Sequence, residues 1–287
     1  MATYKSAYSG PQIDEAIGRV LSGTTNGSSN RNLLDNGWFT INQRGSASYT
    51  SAGYTVDRWK LNVWNTTAQS VTVNTNGITL SGTASGANNC MFVQKIENYA
   101  ALAGKTVTVT VLTGNVTGSI KVFYSTNGES SWSRAIAGLS ANSYNTGTIT
   151  IPSGASGLSI AIGKYASDAG SGNTDIDILA VKLELGSVST LANDVAPNYA
   201  EELLKCQRYF LRIKGYYTAY QTASSAVPYQ LFVQFPVVMR AVPTISNVVY
   251  VGTAQASGIT ADYSSMVRFY STSGGFTLDS FNASADL

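Results

Sequence analysis

The stretch from Arg31 to Gly186 consists of short runs in which apolar and polar residues alternate, and each run ends in a cluster of turn residues. Val107, Val109 and Val111 alternate with threonines, and the same period recurs at Thr148–Ile151. A period of two is the pattern of a strand with one buried face. About ten such strands in roughly 155 residues predict an antiparallel β-sandwich.

The last strand of this predicted sandwich leads into a connector. Val181, Leu183 and Leu185 alternate with charged residues, which predicts one buried and one solvated face, and Gly186 ends the run. The phase of the apolar residues changes at Ile178–Leu179, so we expect a β-bulge there.

A short linking helix is predicted after the connector. Asn198 is a suitable N-cap with Glu201 three residues on, and an apolar stripe follows, made of Tyr199, Leu203, Cys206 and Phe210. A helix this short and one-sided needs a surface to pack on.

The region after this helix contains strand-like runs at Leu231–Phe235, Thr244–Val251, Met266–Tyr270 and Gly275–Phe281. It is small and rich in aromatic residues. We therefore expect a small β-rich module that buries one face against neighbouring chains.

An amphipathic helix is predicted near the N-terminus. Ile13, Ala16, Ile17, Val20 and Leu21 recur with helical period, and a Gly/Ser/Asn-rich linker follows up to residue 30. The apolar stripe of this helix fits either a three-helix bundle with other copies of the chain or packing on the chain's own sandwich.

The composition excludes several classes of protein. With 44% hydrophobic and 12% charged residues the chain is not of the disordered type. A net charge of +2 without a basic cluster excludes a nucleic-acid partner. No apolar run is long enough for membrane insertion, and the first residues lack the apolar core of a secretory signal.

Four passages together resemble bacteriophage and prophage tail fibres and receptor-binding proteins. They are YSGPQIDEAI at 8–17, NLLDNGWF at 32–39 with QRG at 43–45 and DRW at 57–59, the segment 181–210 with KLELG and CQRYF, and FPVVMRAVPT at 235–244. The resemblance implies an attachment helix and linker at 1–30, a jelly-roll domain of the carbohydrate-binding-module kind at 31–190, and a linking helix with a distal receptor-binding tip at 191–287.

The implied function is attachment of a virion to a bacterial surface glycan by a homotrimer in the virion tail. The implied partners are other copies of the chain, tail or baseplate proteins at the N-terminus, and the glycan itself. Ile13, Ile17, Val20, Leu203 and Phe210 are the predicted trimer contacts. A surface-polysaccharide depolymerase and a purely structural virion protein remain as alternatives.

Aromatic and amide side chains are the predicted glycan contacts, because aromatic faces stack on sugars and amides bond to hydroxyls. In the distal module the candidates are Tyr216, Tyr217, Tyr220 and Gln221, which we place in a loop, with packing between chains as the alternative. In the sandwich they are Trp64, Tyr124 and Trp132, with packing as the alternative for Trp132, whereas Trp38 and Trp59 are predicted core residues.

Catalysis is not expected. The chain contains no histidine, which removes Ser-His-Asp and Cys-His sites. Asp175 and Asp177 are predicted to be solvated carboxylates on one strand face, with a structural Ca²⁺ site as the lesser alternative and no other cofactor. Cys90 and Cys206 lack metal-ligand spacing and are predicted to be buried free thiols.

Overall fold

The computed structural model of the chain describes residues 29–84, 86–165, 172–219, 229–272 and 274–287. The predicted N-terminal helix, with Ile13, Ile17 and Val20, lies outside the described residues.

The first unit is a sandwich of two antiparallel six-stranded sheets, with strand orders β1-β4-β5-β12-β7-β10 and β2-β3-β6-β11-β8-β9. Two short 3-10 helices, Tyr99–Leu102 and Leu191–Asn193, accompany it. Its strands are β1 Ser48–Tyr49, β2 Gly53–Tyr54, β3 Lys60–Trp64, β4 Thr67–Val73, β5 Ile78–Ala84, β6 Asn89–Lys95, β7 Thr106–Thr117, β8 Lys121–Ser125, β9 Ser133–Ile136, β10 Tyr144–Thr150, β11 Ser159–Lys164 and β12 Gly172–Leu185.

The alternating runs form the core between these sheets. Val107, Val109 and Val111 are fully buried from β7, and Trp59 stacks on Phe92 with ring centroids 4.7 Å apart. The register of β12 against β7 shifts on both sides of Ile178, which confirms the predicted bulge. The predicted fold class, a mainly β chain with an antiparallel sandwich and a small β-rich second unit, is confirmed.

The outer face of β12 departs from the prediction. Lys182 and Glu184 are fully buried, because the segment after Gly186 folds back over them. Lys182 Nζ lies 2.8 Å from both Asp194 Oδ1 and Thr190 Oγ1. Lys182 and Glu184 therefore bind residues of the connector that follows β12, and they do not face solvent.

The second unit contains the helix α1 and six strands in two three-stranded sheets, β13-β18-β15 and β14-β17-β16. Phe269 and Phe281 pack against each other in its core, with ring centroids 5.1 Å apart. Its elements are α1 Tyr199–Gln207, β13 Phe210–Ala219, β14 Tyr229–Gln234, β15 Thr244–Tyr250, β16 Gly258–Tyr263, β17 Met266–Ser271 and β18 Phe276–Ser284.

Helix α1 begins as predicted but ends earlier. The Asn198 side chain accepts from the backbone N–H groups of Ala200 and Glu201, which confirms the N-cap. Phe210 begins β13 instead of continuing the apolar stripe. The buried helix residues are Glu202 and Cys206, whereas Tyr199 is 59% exposed.

The buried side of α1 packs on the sandwich of the same chain. The Glu202 carboxylate accepts from the Asn36 backbone N–H in the opening segment of the sandwich. The guanidinium of Arg58 stacks on Tyr209, 3.5 Å from the ring centroid. Helix α1 is thus stabilised by packing on the sandwich of its own chain.

Both cysteines are free and buried, as predicted. Among the residues that the structure describes, no helix is long and apolar enough to cross a membrane.

Candidate functional site

A cavity of about 680 Å³ lies where the sandwich meets the outer face of the sheet β13-β18-β15, and we call it the junction cleft. Segments far apart in sequence converge on it. Its main polar and aromatic lining residues are Arg44, Tyr54, Phe210, Arg212, Ser246, Asn247, Ser280, Asn282, Ser284 and Asp286.

The register of the strands determines which polar residues lie side by side along the junction cleft. Asn282 on the central strand β18 pairs with Arg212 on β13 and with Ser246 on β15, so the three side chains form a row across one face. The side chains of Asn282, Ser246 and Asn247 make no hydrogen bond with any residue that the structure describes. Their amide and hydroxyl groups are therefore available to a ligand.

Arg44 forms the side of the cleft nearest the sandwich. Its guanidinium carbon lies 3.8 Å from the Phe210 ring centroid and 5.4 Å from that of Tyr54. It also forms an ion pair with Asp286, whose carboxylate accepts from the Ser284 hydroxyl at 2.9 Å. Arg44 Nη1 and Asp286 Oδ1 are buried without a hydrogen-bond partner in the described part of the chain. Among the described residues, one donor and one acceptor of this ion pair are thus left without a partner.

Burial shifts the pKa of two titratable groups of the junction cleft. Burial raises the pKa of Asp286, although Arg44 and Ser284 oppose the shift. Burial, and then the charge of Asp286, raise the pKa of Tyr54 to about 12. Tyr54 is therefore a neutral phenol at pH 7, and its hydroxyl donates to the Leu287 carbonyl.

This arrangement is suited to recognition through hydrogen bonds. It offers two guanidinium groups, two carboxamides and several hydroxyls around aromatic rings, and sugar hydroxyls can both donate to and accept from such groups. Asp286 is the one carboxylate among the described lining residues, and it is paired with Arg44.

The structure separates the four predicted distal candidates. Tyr216 and Tyr217 belong to strand β13 and not to a loop. Tyr216 is 78% exposed, on the strand that also supplies Arg212, whereas Tyr217 packs against the core of the second unit. Tyr220 and Gln221 fall outside the described residues.

The structure does not bring the predicted sandwich candidates into one site. Tyr124 is half-buried and packs against the main core. Trp64 is 58% exposed at the end of β3, and Trp132 packs with Tyr165 over Phe123. Strands β3 and β9 are four positions apart in their sheet, about 19 Å at the usual strand spacing.

Asp175 and Asp177 form no cluster with a third His, Cys, Asp or Glu side chain among the described residues. Asp175 is exposed, and Asp177 accepts from the Thr79 hydroxyl at 2.6 Å. Among the described residues, no group of three or more His, Cys, Asp or Glu side chains is placed to hold a metal ion.

The two predicted trimer contacts of the linking helix differ in exposure. Leu203 is half-buried. Phe210 is 5% exposed in the single chain, beneath Arg44, so it has almost no surface left for another chain.

Comparisons with known proteins give likenesses to solved structures only. No protein-family model and no curated protein sequence matches the chain. The CBM22-1 xylan-binding domain of Paenibacillus barcinonensis Xyn10C is similar over 56% of this chain and 99% of its own, with 14% identity and a TM-score of 0.32. The N-terminal cellulose-binding domain of Cellulomonas fimi β-1,4-glucanase C is similar over 50% and 97%, with 15% identity and a TM-score of 0.28.

The C-terminal family 22 carbohydrate-binding module of Clostridium thermocellum Xyn10B is similar over 53% of this chain and 98% of its own, with 15% identity and a TM-score of 0.29. At such values these likenesses do not bear on what this chain binds.

The sequence did not reveal the residues of the junction cleft. Asn282 and Ser246 become neighbours only through the pairing of β18 and β15, and Asp286 follows the end of β18. Arg44 and Phe210 belong to the QRG and CQRYF phrases of the sequence, but the contact of Arg44 with Asp286 across the junction cannot be predicted from the sequence.

Proposed function

We propose that the chain is a glycan-binding attachment protein of the bacteriophage tail-fibre kind and that the junction cleft holds the glycan. The observation that carries this proposal is the row Arg212, Asn282 and Ser246, in which the amide and one hydroxyl have no partner among the described residues. Unused hydrogen-bonding groups in a concave surface suit a ligand rich in hydroxyls.

The size and charge of the cleft support a neutral glycan. Its volume of about 680 Å³ falls within the range of about 300–1,000 Å³ usual for ligand sites. The Arg44–Asp286 pair cancels one of its two positive charges. Tyr216 extends the same strand beyond Arg212, so a longer chain of sugars would reach its exposed ring.

The attachment role and the homotrimer are supported by the four tail-fibre-like passages of the sequence. Exposed apolar side chains of the sheet β14-β17-β16, such as Phe232 at 56% and Tyr263 at 65%, offer a surface for neighbouring chains. Three linked sites would raise the effective concentration of weak single contacts. In this proposal the N-terminus binds tail or baseplate proteins, and the protein resides in the virion tail.

Hydrolysis of the glycan is not favoured by this cleft. A glycosidase requires two carboxyl groups about 5–9 Å apart, and the described lining residues supply Asp286 alone. We therefore assign binding without catalysis.

The proposal is tested by binding of the full chain to bacterial cells and to their purified envelope glycans. Asn282→Ala should weaken binding about three- to tenfold per site, the value of one or two neutral hydrogen bonds. Asn115→Ala is the matched control, because Asn115 is exposed on β7 of the sandwich, outside the cleft. A loss on Trp64→Ala without any loss on Asn282→Ala would place the glycan on the sandwich and overturn the cleft assignment.

The homotrimer has its own test. Light scattering of the full chain should give three times the 30.3 kDa mass of one chain. A stable monomer at micromolar concentration would contradict the trimer while leaving the glycan site open to the binding assay.

A further inference from the structure

A second cavity, of about 440 Å³, lies between the sandwich and the end of helix α1, and we call it the basic cleft. Tyr209 and several charged side chains line it. Its described cations are Arg31, Arg58, Lys105, Lys205 and Arg208, and its described carboxylates are Asp35 and Glu97.

The carboxylates around the basic cleft are already paired. Asp35 lies 3.0 Å from Arg58 Nε, and Glu97 lies 3.2 Å from Arg208 Nη2. Lys205 is bound at 2.8 Å by Glu202 of its own helix. Arg31 and Lys105 form no ion pair with any residue that the structure describes. Two positive charges at the cleft are therefore without an ion-pair partner in the described part of the chain.

Arg58 supplies a fixed donor group in the wall of this cleft. Its side chain is 2% exposed and is held by Asp35, by the Lys95 carbonyl at 2.9 Å and by the ring of Tyr209. Its Nη1 is buried and has no hydrogen-bond partner in the described part of the chain. A guanidinium held on three sides with one nitrogen unused is preorganised for an oxyanion.

We propose that the basic cleft binds a phosphate group. The two cations Arg31 and Lys105 match the double negative charge of a phosphate monoester or the single charges of two neighbouring phosphates in a phosphodiester polymer, and Arg58 adds a planar donor to the phosphate oxygens. The bound group would come from a phosphodiester polymer of the cell envelope or from a small phosphate ester. The inference is independent of the junction cleft, with which the basic cleft shares no lining residue.

The test is calorimetric titration of the full chain with inorganic phosphate, with sodium chloride at the same ionic strength as the blank. Lys105→Gln and Arg31→Gln should each weaken phosphate binding about three- to tenfold, as expected for loss of one charge-assisted contact. Lys214→Gln removes a cation from an exposed position of β13 outside both clefts and should leave binding unchanged.

Further ligands separate the sources of the phosphate and the chemistry of the site. Glycerol 3-phosphate binding without binding of poly(glycerol phosphate) would assign a small ester, and tighter binding of the polymer would assign an envelope ligand. Heat no larger than with chloride would overturn the proposal, and so would an equal loss on Lys214→Gln. Galacturonate binding as tight as phosphate binding would overturn the assignment to phosphate.

Discussion

The buried ammonium of Lys182 allows a quantitative prediction. Lys182 Nζ donates to Asp194 and Thr190 at 2.8 Å and to Ser29 at 2.7 Å, and it lies 3.7 Å from a carboxylate oxygen of Glu184. Lys182→Ala would leave the fully buried Glu184 without its cation. Removing one partner of a buried ion pair costs about 3–5 kcal/mol, a large part of the ~5–15 kcal/mol that holds a domain folded.

Urea unfolding followed by tryptophan fluorescence measures this loss in the sandwich. All four tryptophans, at positions 38, 59, 64 and 132, precede β9, so their signal reports the sandwich and not the second unit. Lys214→Ala is the control, since an exposed lysine should change the free energy of unfolding by less than about 0.5 kcal/mol.

A double variant separates the charge from the packing. Lys182→Ala with Glu184→Ala removes both buried charges, so it should cost less than the sum of the two single changes. A loss below about 1 kcal/mol for Lys182→Ala, the range of an exposed ion pair, would refute the reasoning.

Three further predictions concern other buried groups. Burial raises the pKa of Cys90 to about 11 and also raises the pKa of Cys206. A disulfide reagent should therefore react with both thiols at least about a hundredfold faster in urea than in native buffer. Equal rates would contradict their burial. Gly163→Ala should destabilise the sandwich by at least about 2 kcal/mol, because the added Cβ would lie 2.0 Å from the Cys90 carbonyl oxygen. Gly138→Ala, which meets no described atom within 4 Å, should be nearly neutral in the same urea titration. The pKa of Asp286 is raised from 3.8, so its stabilising contribution is present at low pH and lost as pH rises through the folded-state value. The stability of Asp286→Asn relative to the wild type should therefore increase with pH above about 4 in urea titrations, and a decrease would contradict the shift.

The sandwich could be predicted because its signal is local. Val107, Val109 and Val111 carry the period of two within a few residues, and the bulge near Ile178 is visible as a change of phase. The N-cap at Asn198 is likewise a short-range pattern.

The burial of charge could not be predicted from the same patterns. Lys182 and Glu184 occupy the polar phase of β12 and appear solvated, because the period of a strand says nothing about a later segment that covers it. In the same way, the apolar stripe of the linking helix suggested contacts with other chains, whereas its buried residue Glu202 binds Asn36 of the sandwich.

The candidate sites depend on contacts between residues that are far apart in the sequence. Arg44 meets Asp286 across 242 positions, and Asn282 meets Ser246 only through a ladder between β18 and β15. No local motif encodes such contacts, so the sequence indicates aromatic candidates but does not indicate the polar row of Arg212, Asn282 and Ser246.

The cluster around Lys182 also has a mechanical consequence. Ser29, at the start of the described sandwich segment, and Asp194, in the connector, are bound to the same ammonium group. We therefore expect tension applied between residue 29 and the connector to load this cluster before the ladders of the two sheets.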